Sequence, residues 1–130
     1  MYTIKEIFRM TSANAEEKVN LWTYLGDFLD FFYSKERTTD ERYQLILEEP
    51  ETFDNIEATT YAFLAGAVHK ISMDYGVQRP AWVMKEKYFL EKPYFSLNAK
   101  GNLRLVLLAE SPIPFRMRHI FTSENTLDRI

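Results

Sequence analysis

The chain contains no cysteine. That removes disulfide staples, thiolate zinc sites and a cysteine nucleophile together, and it suits a protein of a reducing compartment. Histidine is almost as scarce, with only His69 and His119, so acid–base and metal chemistry have few residues to draw on. Four glycines, none of them grouped, leave no phosphate-cradling loop and no Gly-x-Ser-x-Gly elbow. No apolar run approaches the roughly 18 residues that a membrane span requires. The start, MYTIKEIFRM, carries Glu6 among its basic residues and lacks the apolar stretch and small-residue cleavage site of a secretory signal. The expectation is a soluble, cytoplasmic protein without metal, cofactor or membrane partner.

What is abundant is aromatic bulk. Ten Phe, eight Tyr and two Trp in 130 residues exceed what one modest core needs, so part of that surface is expected to face a partner. Charge is divided unevenly. Residues 1–78 hold seven Lys and Arg against fourteen Asp and Glu, and residues 79–130 hold nine against five, which gives −7 and +4. The two halves either complement each other in the fold or leave a basic C-terminal face for an anionic partner.

The stretch Asp54 to Trp82 organises the rest. Ile56, Thr60, Phe63, Leu64, Ala67, Val68, Ile71 and Tyr75 recur at spacings of three and four, which predicts a long helix with one apolar side. Asp54 and Glu57 have the spacing of a capping box, and Gly76 with Pro80 beyond it supplies the stop. Ala58, Ala62, Ala65, Gly66 and Ala67 thin the middle of this helix, so a neighbouring element can approach closely there.

Before it, Ile4, Ile7 and Phe8 predict a short first helix. Asn14 with Glu17 reads as the start of a second, running to about Ser34 on a wide apolar arc that includes Phe28, Leu29, Phe31 and Phe32. Thr38 with Glu41 begins a third that Pro50 must end. Glu48, Glu49, Glu51 and Asp54 read as a solvated connection rather than a cation site.

After the central helix, Pro80, Pro93, Pro112 and Pro114 break the chain into short pieces. Ala81 to Leu90 has room for a two-turn helix with Trp82, Val83 and Phe89 inward. Tyr94 to Leu108 reads either as a hairpin around Gly101 or as a loop opening into a helix capped by Asn102. Leu103, Val106 and Leu107 sharing a face favour the helix. SPIPFRMRHIF is expected to run extended across the domain, with its aromatics inserted, and Thr122 or Ser123 to cap a last short helix through Leu127. These pieces add up to an all-α, mainly helical fold: residues 1–130 as a single helical domain, a compact orthogonal bundle of about five or six helices with a proline-broken, partly irregular C-terminal segment. No repeat, linker or low-complexity tract interrupts it.

No catalytic set emerges. His69 has no second histidine in register for a zinc helix, and reads as a satisfied or surface side chain. Glu110, Arg116, Arg118 and His119 form the candidate binding group, in which the arginines would hold an anion by bidentate contacts. Ile71 to Val83 has the layout of a helix-turn-helix turn, and residues 71–88 would then point Gln78, Arg79, Lys85 and Lys87 at DNA, although the acidic chain offers little phosphate neutralisation.

The C-terminal pieces RPAWV (79–83), YFL (88–90), PYF (93–95), LR (103–104), LLAESP (107–112) and PFRMRHIF (114–121) together resemble a block found in uncharacterised bacterial proteins. Some of those resemble the partner component of toxin–antitoxin pairs. The resemblance implies no catalytic residues; it favours a helical Leu103 to Glu110 and a non-enzymatic, antitoxin-like regulatory chain that binds an unknown protein partner or a second copy of itself. A small-ligand or anion binder, or an enzyme, using the Glu110 region is the alternative reading, and a DNA binder the second alternative.

Overall fold

The computed structural model describes residues 2–13 and 21–129. The predicted Asn14/Glu17 cap and Val19 lie outside the described residues. Within them the fold is mainly α, with six α-helices and one two-stranded sheet. Helices α1 (Ile4–Ala13), α2 (Leu21–Tyr33) and α3 (Thr39–Ile46) come first, followed by α4 (Ala58–Asp74). Beyond it lie α5 (Asn102–Glu110) and the single turn α6 (Ile113–Arg116), with strands β1 (Tyr94–Phe95) and β2 (Ile120–Phe121).

Helix α3 starts with a complete capping box. The Thr38 hydroxyl accepts from the Glu41 N–H at 3.1 Å, and the Glu41 carboxylate accepts from the Thr38 N–H at 3.2 Å. The predicted counterpart at α4 does not form: Asp54 lies in a turn, and Glu57 occupies the N-cap position without a side-chain cap. The stop at Gly76 does form. Gly76 has φ +62°, its N–H donates to the Met73 carbonyl, and the Val77 N–H donates to the Ser72 carbonyl, which is the paired arrangement of a Schellman end.

Helix α4 is buried nearly all round. Residues 61 to 69 are all buried, so the predicted one-sided stripe is in fact a central rod, as its place inside the cluster of buried side chains from α1, α2, α3 and α6 requires. Its small residues serve close approach as expected, and the element that comes in is α6. A Cβ added to Gly66 would stand 2.9 Å from Phe115 Cδ1. Phe63 and Phe115 meet with ring centroids 5.0 Å apart.

The C-terminal third departs from prediction in three places. Ala81 to Leu90 forms two 3₁₀ turns, Ala81–Met84 and Glu86–Tyr88, separated by Lys85 in extended conformation. Trp82 and Val83 are buried as expected, and Phe89 is half-buried. Ile113–Arg116 is a helical turn instead of extended chain. Pro112 sits at its N-cap and Pro114 in its first turn, where the N–H that proline lacks would have had no partner. Residues 124–127 form turns rather than a last helix, held where the Tyr33 hydroxyl donates to the Leu127 carbonyl at 3.0 Å. Strands β1 and β2 pair in parallel, Tyr94 with Ile120 and Phe95 with Phe121, which rules out the hairpin around Gly101. Helix α5 forms as favoured, with Gly101 at φ +57° as its N-cap and Asn102 as its first residue.

Candidate functional site

Three places have the chemistry to bind something: the Glu110 to His119 group, the outer side of α5, and a cleft at the start of α4.

Of the four predicted binding residues, Arg118 turns inward and is fully buried. One guanidinium nitrogen donates to the Pro114 carbonyl at 2.7 Å and to His69 Nδ1 at 3.1 Å, and the other donates to the Val83 carbonyl. The Phe89 ring lies 4.7 Å away, and Nε has no partner. Among the described residues no carboxylate balances this cation; carbonyl dipoles and an aromatic face do. Burial, with the like charge of Arg79, lowers its pKa to about 10, so it remains charged at neutral pH. Because a guanidinium only donates, His69 Nδ1 must accept, and the ring proton sits on Nε2. Burial, then Arg118 and Arg79, lowers His69 to about 4 and keeps it neutral. His69 is therefore satisfied in the core rather than at the surface, the first of the two expected alternatives, and Arg118 clamps α4, the first 3₁₀ turn and α6 together.

Arg116 has a different task. It donates to the carbonyls of Ala109 and Ser111 at 3.1 and 2.9 Å, placing a cation at the C-terminal end of α5. The Ser111 hydroxyl beside it accepts from the Thr122 N–H at 2.8 Å, tying α5 to the chain after β2. Glu110 is half-buried and His119 exposed, with φ +61° at the entry to β2, and neither has a side-chain partner among the described residues. The four are close in sequence, yet Arg118 points into the core and Arg116 back onto the end of α5, so their polar ends do not converge on one point.

The segment with helix-turn-helix layout has no second α-helix to lay in a groove, since its place is taken by the two 3₁₀ turns. Lys85 and Lys87, two of its four proposed contacts, pair with Glu49. Glu49 also accepts from the Tyr88 hydroxyl at 2.7 Å. Burial opposes ionisation of Glu49, but the bonds from Lys85, Tyr88 and Lys87 outweigh it and hold the carboxyl below its ordinary range. Glu48 and Glu51 pair with Lys5 and Arg9. The acidic connection is thus largely cross-linked to other elements.

Helix α5 is the outlier. Leu107 is its one buried residue, packed with Ala99, Phe121 and Phe95 in a small cluster apart from the main core. Leu103, Leu105, Val106 and Leu108 are 41 to 64% exposed. Ile113 and Met117, from the chain that follows, are exposed as well. Exposed apolar side chains gathered in one stretch of chain mark an interaction surface more often than scattered ones do.

The cleft, about 530 Å³, lies where the starts of α2 and α4 meet the chain around β1 and β2. Trp22 stands at its edge, 52% exposed and edge-on to Phe63 at 5.3 Å. Glu57 is its one carboxylate among the described residues, and hydroxyl side chains supply most of the remaining wall. Nothing in the sequence grouped these residues, which come from positions 22, 57–63, 94–96 and 122–126.

No family model, curated protein or solved structure matches this chain. Among the described residues, no helix is long and apolar enough to cross a membrane.

Proposed function

We propose that this chain is a non-enzymatic interaction protein that docks through the outer side of α5. The observation that carries this reading is the exposure of Leu103, Leu105, Val106 and Leu108 on a helix whose one buried residue is Leu107. Burying such groups against a partner is favourable by about 25 cal/mol per Å² of apolar surface. His69 and Arg118 are buried against each other inside the fold and offer no reactive group to a substrate.

The occupant that fits best is the same helix of a second copy, running antiparallel. Pairing about Leu105 sets Leu105 against its own counterpart, as a two-fold interface demands. An antitoxin-like role in the cytoplasm is the finer version of this reading; it draws on the C-terminal resemblance and the lack of cysteine. The anion-binding alternative loses Arg118 to the interior, and the DNA-binding alternative lacks a recognition helix.

Sedimentation velocity over a concentration series tests it. The wild type is expected to shift from monomer to dimer, and Leu105→Asp to remain monomeric. A wild type that stays monomeric up to roughly 1 mM, a limit beyond which affinity is negligible, would overturn self-pairing.

A further inference from the structure

The cleft at the start of α4 goes beyond this reading, and its walls specify a ligand chemistry. Among the described residues its lining holds no Lys, Arg or His, so these walls offer a phosphate or carboxylate ligand no counter-charge. Glu57 disfavours an anion further. Of the hydroxyl residues, Thr60, Tyr94, Ser123 and Thr126 make no side-chain hydrogen bond among the described residues. Each hydroxyl both donates and accepts, which suits ligand groups that do the same, and Glu57 accepts from further O–H donors. Trp22 completes the set with a large half-exposed indole, an apolar platform in an otherwise polar recess. The volume falls within the range of small-molecule pockets and has room for a disaccharide.

We propose that this cleft binds a neutral polyhydroxylated ligand of the saccharide class, its C–H face stacked on Trp22 and its hydroxyls held by Glu57 and the free Thr, Ser and Tyr hydroxyls. The site shares no residue with the α5 face, so either stands if the other fails.

The test uses the full chain and three disaccharides, cellobiose, maltose and lactose, with choline chloride and sodium phosphate as charged controls. Trp22 is the reporter, because the second tryptophan, Trp82, is buried with its indole N–H donating to the Ile46 carbonyl and stays silent. At least one disaccharide is expected to change the Trp22 emission saturably, with a Kd of order 1–10 mM, and the controls to do nothing. Saturation-transfer NMR, which needs no tryptophan, should show that binding at least tenfold weaker in Trp22→Ala and several-fold weaker in Glu57→Gln. Both side chains are exposed, and far-UV circular dichroism checks that both variants stay folded. The proposal is overturned if no disaccharide saturates up to roughly 50 mM, if choline or phosphate saturates in their place, or if Trp22→Ala binds as the wild type does.

Discussion

Helices α4 and α5 are built from similar residues and end in opposite environments. Eleven of the seventeen residues of α4 are buried against one of nine in α5, although α5 has the higher density of leucine. The difference lies in what surrounds them. Helix α4 has α1, α2 and α3 before it and α6 folded back across Gly66, so every direction is taken. Helix α5 follows the last large core element, and only Ala99, Phe95 and Phe121 remain to cover it. Apolar content therefore reports a demand for burial without saying whether the chain itself or a partner meets it.

Mutations and pH sharpen this contrast. Leu64→Ala in α4 should cost about 3 kcal/mol in urea unfolding, since Leu64 is 1% exposed and the rod around it has little freedom to collapse. Acid should act through the same helix. His69 is held at about 4 against an ordinary 6.5, so the unfolded chain binds the proton that the folded one refuses. Its contribution is complete above pH 6.5 and is lost as pH falls toward 4, about 2–3 kcal/mol by pH 4.5. Unfolding midpoints compared at pH 7 and pH 4.5 should show that loss in the wild type and little of it in His69→Gln. Gly66→Ala should cost about 1–2 kcal/mol, because the clash with Phe115 outweighs the roughly 1 kcal/mol gained in helix propensity. Leu105→Asp, by contrast, should alter the stability of the dilute monomer by less than about 0.5 kcal/mol while abolishing association. A loss above 2 kcal/mol there would mean that α5 is core after all.

Much of the helical layout is legible in the residues because its signals are local. The Thr38/Glu41 box, the Gly76 stop and the 3.6 period of residues 56–75 each depend on neighbours within one or two turns. The Asp54/Glu57 spacing has the same pattern without the bond, since Glu57 takes the cap position and its carboxylate turns to the Thr59 hydroxyl. The inward turn of Arg118 was not legible. An arginine between Met117 and His119 in a basic run resembles a surface cation, and its partners lie 4, 35 and 49 residues away. The Trp22 cleft was hidden for the same reason, as its walls come from four separated parts of the chain. By spacing, Leu103, Val106 and Leu107 share one side of the helix, yet only Leu107 is buried, because the two-stranded sheet beneath α5 is too small to cover a wider stripe.

Hydrogen exchange followed at two protein concentrations tests the claim that α5 is a presented surface rather than a piece of core. The account predicts that amides of α5 exchange through local opening and gain protection as concentration rises, while those of α4 are strongly protected at both. Protection of α5 that matches α4 and does not change with concentration would contradict it.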